Sequence, residues 1–243
     1  MNNRSMRPDP GKQNQETDHL RAAIGDAITH ELRTPLTSIK ASVTALLTNS
    51  RLQRSQRNDL LTVIDEEADR LNQLVGEAVE TARLETGVKL DLKRHAIEEI
   101  ISAARNECRR LLAGRSISVQ LQQALPAVRA DLRLARKALT QLLENAIKYS
   151  PVDQPICLTA ELTGKFVRTS VADRCRGIDG PEQTLIFEKF YRGKHHRYSI
   201  QGTGMGLPIA TAIIKAHGGS LCVTSRLGHG CVFSFTLPID QQL

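Results

Sequence analysis

At 243 residues, with 40% hydrophobic and 24% charged residues, the chain has the composition of a soluble protein of one or two domains, each able to bury a core. Its net charge of +7 is spread along the whole length, and with no Trp and 3% aromatic residues it has few platforms for stacking bases, which argues against nucleic acid and suits ATP or an acidic protein partner. The five cysteines are scattered without a C-x-x-C pair, the polar N-terminus is no signal peptide, and no apolar run approaches the roughly 18 residues of a membrane span, so the expectation is a cytoplasmic chain without a disulfide framework, zinc site or membrane span.

Residues 1–17 are rich in Asn, Gln, Pro and charge, have no period, and read as a linker. Helical periodicity then runs from Asp18 to about Thr48. Ile24, Ile28, Leu32, Leu36, Ile39, Val43, Leu46 and Leu47 share a sector of roughly 140°, and His30 points almost opposite it. Thr34 stands one turn beyond His30 on the same face, and Glu31 lies about 100° round the cylinder, within reach of the imidazole. Pro35 removes the N–H that would meet the Glu31 carbonyl, which predicts a bend just after the histidine. After a turn at Asn49, Ser50 and Arg51, a second helix is predicted over 53–84, with Leu60, Ile64, Ala68, Leu71, Leu74, Val75, Ala78, Val79 and Ala82 on one face and Gly87 as its stop. Two antiparallel helices, each about 45 Å long, have little core of their own, so their stripes call for a second hairpin and a dimeric four-helix bundle.

Beyond Gly87 the pattern changes to short elements: strands over 88–92, 117–121, 156–162, 165–172, 221–225 and 231–237, and helices over 97–112, 130–149 and 205–216. Ile100, Ile101 and Leu111 are core candidates in the first of those helices, and after the strand over 165–172 a loop-rich region runs to Gly204. The mixture predicts an α/β sandwich, helices on one face of a mixed sheet, so the whole chain falls in the α+β class. The domains expected are 1–17, 18–87 and 88–243.

His30-Glu31-Leu32-Arg33-Thr34-Pro35-Leu36 resembles the phospho-acceptor box of sensor histidine kinases at every position. Four later groups follow in that family's order. Asn145, Lys148 and Gln141 share one side of a helix, where an amide oxygen suits Mg²⁺ and a lysine suits phosphate. With Tyr149 they resemble the N box, Gln141 replacing its first Asn. Asp173, Gly177 and Ile178 resemble the G1 box, whose Asp accepts from the adenine amino group. Cys175 replaces the first glycine of that box, and its Cβ and sulfur where glycine can take positive φ predict weakened ATP binding.

Ile186 to Arg192 resembles the F box, with Lys189, Arg192, Lys194 and Arg197 as charge near phosphates, and the His195–His196 pair lacks a third metal ligand. Gly202, Thr203, Gly204, Gly206 and Leu207 resemble the G2 box, a glycine loop before a helix N-terminus that receives the triphosphate. The resemblance covers residues 18–240 and implies a transmitter that moves the γ-phosphoryl group of Mg²⁺-bound ATP to His30, with Glu31 taking the imidazole proton, and then to an aspartate of a response regulator receiver domain. It also implies a homodimer, with Thr34 orienting water for a phosphatase reaction, no nucleic acid, and a place as the cytoplasmic part of a membrane sensor or beside a separate one. Two other readings remain open at this stage: a kinase-like scaffold with weakened nucleotide binding, and another ATPase of the same superfamily.

Overall fold

The structure, a computed structural model, describes residues 32–49, 51–193 and 202–240. His30 and Glu31, the expected bend after them, and Lys194 to Arg197 lie outside the described residues. The chain forms two compact units that divide between Val75 and Gly76, inside a continuous helix. No helix among the described residues is long and apolar enough to cross a membrane.

In the first unit, α1 is helical over residues 32–48. Its Thr37, Thr44 and Thr48 hydroxyls donate to the carbonyls of Arg33, Lys40 and Thr44 at 2.7, 2.8 and 2.8 Å, so these polar groups are satisfied on their own helix. The Asn49 side chain accepts from Arg51 N at 3.1 Å and makes the expected turn. Gln56 then reaches back to Gln53 N at 3.0 Å, half of a capping box, and α2 (Arg54–Glu85) begins where the periodicity placed it. Along the predicted stripes Leu74 is buried, but Leu36 and Leu47 are 61% and 81% exposed and Val75 is 57% exposed.

The second unit takes the end of α2 and then β1 (Lys93–His95), α3 (Ile97–Glu107), β2 (Ile117–Leu121), β3 (Val128–Ala130), α4 (Leu132–Tyr149), β4 (Ile156–Thr163), β5 (Phe166–Asp173), α5 (Glu182–Leu185), α6 (Gly206–Ala216), β6 (Leu221–Ser225) and β7 (Cys231–Pro238). Five strands form one sheet in the order β2-β4-β5-β7-β6, with β2 parallel to β4 and every other pair antiparallel. Register places Val119, Leu158, Val171, Phe233 and Val223 in one row across it, and Leu121, Ala160, Thr169, Phe235 and Leu221 in the next. Since side chains alternate along a strand, each row turns to one face. Leu139, Leu142, Leu143 and Ala146 of α4 and Ile209 and Ile213 of α6 are also buried, and α4 packs on α3, α6 and β5. This is the expected α/β sandwich.

Three local expectations change. Residues 88–92 form no strand; the strand is the next three residues, β1, which pairs antiparallel with β3. Residue 130 ends β3 instead of starting α4, because Asp131 intervenes as a cap: its Oδ1 accepts from Leu134 N at 3.1 Å, its Oδ2 accepts from Asp91 N at 3.2 Å, and its own N–H donates to the buried His217 Nε2 at 3.0 Å. The third helix stops at Glu107, and Leu111, in the turns that follow, is 53% exposed instead of in the core.

Candidate functional site

The last three turns of α4 form the floor of the site. Gln141, Asn145 and Lys148 lie on one side of it, while the opposite side is closed into the core by Leu142, Leu143 and Ala146. At the upper end, Gly206 opens α6 so close to Gln141 that a Cβ there would overlap the Gln141 amide oxygen. At the lower end, Ser150 Oγ accepts from Arg174 N at 3.4 Å, which brings in the end of β5. Residues 141 and 150 are about 14 Å apart along the helix axis, so Asn145 and Lys148 sit between a helix N-terminus and the Asp173 turn. Asn145 is half-buried, and its amide has no hydrogen-bond partner among the described residues.

Two features of this floor were not read from the sequence. The Arg115 guanidinium donates to the carbonyls of Ile147, Ser150 and Pro151 at 2.8, 2.7 and 3.0 Å, closing the C-terminal end of α4 where carbonyls lack helical partners. A lone arginine before a strand carries no local signal of that role. Glu144, half-buried, is pushed above the ordinary carboxylate range by desolvation, with Lys148 opposing the shift and Glu107 and Glu77 adding to it. Burial also raises the Tyr149 phenol, and the charge of Arg192 pulls it back.

Asp173 ends β5 and is nearly enclosed, with its Oδ1 accepting from Cys175 N at 2.8 Å. The turn is fastened to the β6–β7 connection: Ile178 N donates to Ser225 Oγ at 2.9 Å, and Gly228 N donates to the Arg176 carbonyl at 2.7 Å. Gly177, at φ +84°, presses on the Arg226 carbonyl so closely that no Cβ fits. Here glycine is required. Cys175 is a different case. The non-glycine residues at positive φ among those described are Ala124 and Phe190, so Cys175 keeps an ordinary backbone, and the strain expected of it is absent. Its side chain turns inward, and Sγ lies 2.9 Å from Cys231 Sγ. With Asp173 the two thiols form an enclosed cluster whose ligand atoms lie within 4.8 Å of one another.

The third wall joins residues 182–193 to the glycine loop. Tyr191 OH donates to Glu182 Oε1 at 3.0 Å; burial, then that bond and the Glu182 charge, push its phenol up to about 12. Gln183 Nε2 donates to the carbonyls of Ile178 and Ser225, tying α5 to β6. Phe190, at φ +62°, donates its N–H to the Gly204 carbonyl at 3.2 Å. Thr203 Oγ1 accepts from Met205 N at 3.2 Å just before α6, and Gly202, Gly204 and Leu207 are half-buried around that helix start. Lys189 is directed elsewhere: its Nζ donates to Glu85 Oε2 at 2.7 Å, at the end of α2.

A site of this kind offers a carboxylate acceptor at one end, free helix N–H groups at the other, and a neutral amide between them, which suits a nucleotide with a magnesium-bound phosphate chain. Residues 130–241 match the family described as histidine kinase-, DNA gyrase B-, and HSP90-like ATPase, and residues 23–87 match the His Kinase A (phospho-acceptor) domain. The chain is 35% identical over 231 residues to the adaptive-response sensory kinase SasA of Parasynechococcus marenigrum (strain WH8102), covering 92% of this chain and 58% of that protein. It is 29% identical over 225 residues to the sensor protein KdpD of Escherichia coli (strain K12), covering 92% of this chain and 25% of that protein. Full-length ShkA, solved in complex with AMPPNP, superposes with a TM-score of 0.65 at 28% identity over 90% of this chain and 46% of that one. The chain thus spans between a quarter and somewhat over half the length of these two curated relatives.

Proposed function

Because the chain belongs to the sensor histidine kinases, with a phospho-acceptor segment followed by the family's ATPase domain, we propose that it transfers the γ-phosphoryl group of ATP to a ring nitrogen of His30 and then to an aspartate of a response regulator receiver domain. The observation that carries this reading is the half-buried Asn145 amide, unpaired among the described residues and placed between the Gln141–Gly206 and Ser150–Arg174 contacts. Magnesium fits there, with Asn145 as its protein ligand, and when bound it neutralises charge on the phosphates.

On this reading the chain's residues take these roles. The Asp173 carboxylate accepts from the adenine amino group, with Gly177 and Ile178 closing the turn beside it. The backbone N–H groups of Gly202, Thr203, Gly204, Gly206 and Leu207 receive the phosphates at the α6 N-terminus. Lys148, Tyr149 and Arg192 border the same space, and Lys189 joins them on leaving Glu85. His30 attacks as neutral imidazole, Glu31 holds the proton of its other nitrogen, and Thr34, one turn on, orients water against a phospho-aspartate. Leu36, Leu47 and Val75, exposed in the single chain, meet a second hairpin in a homodimer.

Incubation with γ-labelled ATP and Mg²⁺ tests this reading. Label retained on the protein in an acid-labile, alkali-stable form, and lost in His30→Gln with ATP affinity kept within about twofold, is the expected result. Released phosphate without labelled protein would point to an ATPase of another class.

A further inference from the structure

Cys175 and Cys231 come from opposite sides of the sequence gap that holds α5, the Phe190–Gly204 contact and α6. Cys231 begins β7 directly opposite Asp173 in the ladder, and Cys175 follows Asp173 by two residues, its N–H bonded to the Asp173 carboxylate. The two sulfurs are 2.9 Å apart, 9% and 2% exposed by residue, and the surrounding contacts fix them: Gly177 N donates to Cys175 Sγ at 3.4 Å, and Ser225 Oγ lies 3.2 Å from Cys231 Sγ while donating to the Gly230 carbonyl. A disulfide needs sulfurs at about 2.05 Å, an approach of under 1 Å from here, which side-chain rotation and a small turn displacement supply. The hydrogen bond from Cys175 draws the Cys231 thiol below its ordinary range against the effect of burial, while the Cys175 thiol is pushed up, so one sulfur of the pair is the better thiolate.

We propose that Cys175 and Cys231 are a redox-active dithiol that closes to an intramolecular disulfide under hydrogen peroxide and, by doing so, weakens nucleotide binding at Asp173. The thiolate of the pair attacks one peroxide oxygen: an S–O bond forms, the O–O bond breaks, and the departing hydroxide takes a proton to become water. The second sulfur then gives up its proton and attacks the sulfenic sulfur; the S–S bond forms, the S–O bond breaks, and a second water leaves. Two thiols are oxidised by two electrons and one peroxide is reduced to two waters. β7 lies inside the sheet, so the Cys175 turn is the part that moves, and it carries with it the N–H that holds the Asp173 carboxylate. The effect on nucleotide rests on the proposed ATP site; the disulfide itself does not.

The experiment treats the full chain with one to five equivalents of hydrogen peroxide, then reads intact mass, disulfide-linked peptides, melting temperature and affinity for a fluorescent ATP analogue with Mg²⁺. The expected results are a two-dalton loss reversed by phosphine, a peptide joining Cys175 to Cys231, a melting temperature higher by on the order of 10 °C from closing so long a ring, and affinity at least fivefold weaker until reduction. Cys175→Ser and Cys231→Ser should each lose the cross-link, and Cys108→Ser should keep it. Oxidation confined to the exposed Cys222, or a stoichiometric thiophilic metal ion that occupies Asp173, Cys175 and Cys231 and blocks the cross-link, would overturn the dithiol. A cross-linked protein with unchanged ATP affinity would overturn its effect on nucleotide. Reduced protein that binds no ATP would instead strike the proposed function and leave the disulfide standing.

Discussion

Phe190 and Gly204 meet backbone to backbone, at φ +62° and +72°, and a Cβ on Gly204 would overlap the Phe190 main chain. Phe190 is buried at 8% exposure and is held in a conformation that costs a non-glycine residue about 1–2 kcal/mol. Strain of that kind persists where surrounding contacts over-determine it, here the N–H bond to the Gly204 carbonyl and the Tyr191–Glu182 bond next door.

Gly204→Ala is expected to break this contact. Its own positive φ and the overlap together should weaken ATP binding by about tenfold or more, with a small fall in melting temperature. A fluorescent ATP titration beside thermal unfolding checks it, and parent-like affinity would separate the contact from the nucleotide site.

Asn145→Ala should weaken ATP binding by about tenfold in the presence of Mg²⁺ and leave binding in EDTA unchanged, because a neutral amide ligand acts through the metal. Calorimetry with and without Mg²⁺ reads the difference. An equal loss in both conditions would assign Asn145 to the nucleotide directly.

Arg115→Ala should destabilise the second unit by about 1–3 kcal/mol, since it leaves the carbonyls of Ile147, Ser150 and Pro151 without their shared donor. Arg115→Lys should recover only part, because a single ammonium lacks the planar fork. Chemical denaturation followed by circular dichroism measures both, and an unchanged midpoint in the alanine variant would mean that water replaces the guanidinium.

Thr34→Ala should spare autophosphorylation and slow dephosphorylation of the regulator. Thr34 is exposed on α1, unlike the buried Ser42 two turns further on. Phosphatase rates measured with the cognate receiver domain decide it, and equal rates would reduce Thr34 to a helix residue bonding within its own turn.

Long periodic elements were legible because their signal accumulates over many residues: the second helix and the strands at 117–121 and 221–225 fall within one residue of the sequence reading. What the sequence concealed is short or non-local. β1 and β3 have three residues each, too few for a period, and exist through pairing with each other. Asp131, a plain helix-start signal, fell one residue inside the helix read over 130–149, whereas it caps a helix that begins at Leu132. In the site, Gly177, Gly204 and Gly206 were found as motif letters, and the structure supplies their reason in a carbonyl, a backbone and an amide that leave no room for Cβ. The backbone strain expected of Cys175 is absent for the complementary reason: its departure from glycine was visible, but the thiol its side chain turns to, Cys231, is 56 residues away.

On the proposed reading of the site, Lys189 reaches the nucleotide already holding a counterion, Glu85. Its pairing with Glu85 is partly exposed, with side chains 37% and 51% accessible, and such a pair contributes on the order of 0–1 kcal/mol. Arrival of a polyphosphate is then an ion exchange, in which one carboxylate is released for each ammonium captured. Added salt loosens the clasp and the captured phosphate together, so the affinity contributed by this lysine should vary less with ionic strength than a free ammonium's would. Glu85→Gln removes the competitor, leaves the lysine unclaimed, and restores the steeper salt dependence.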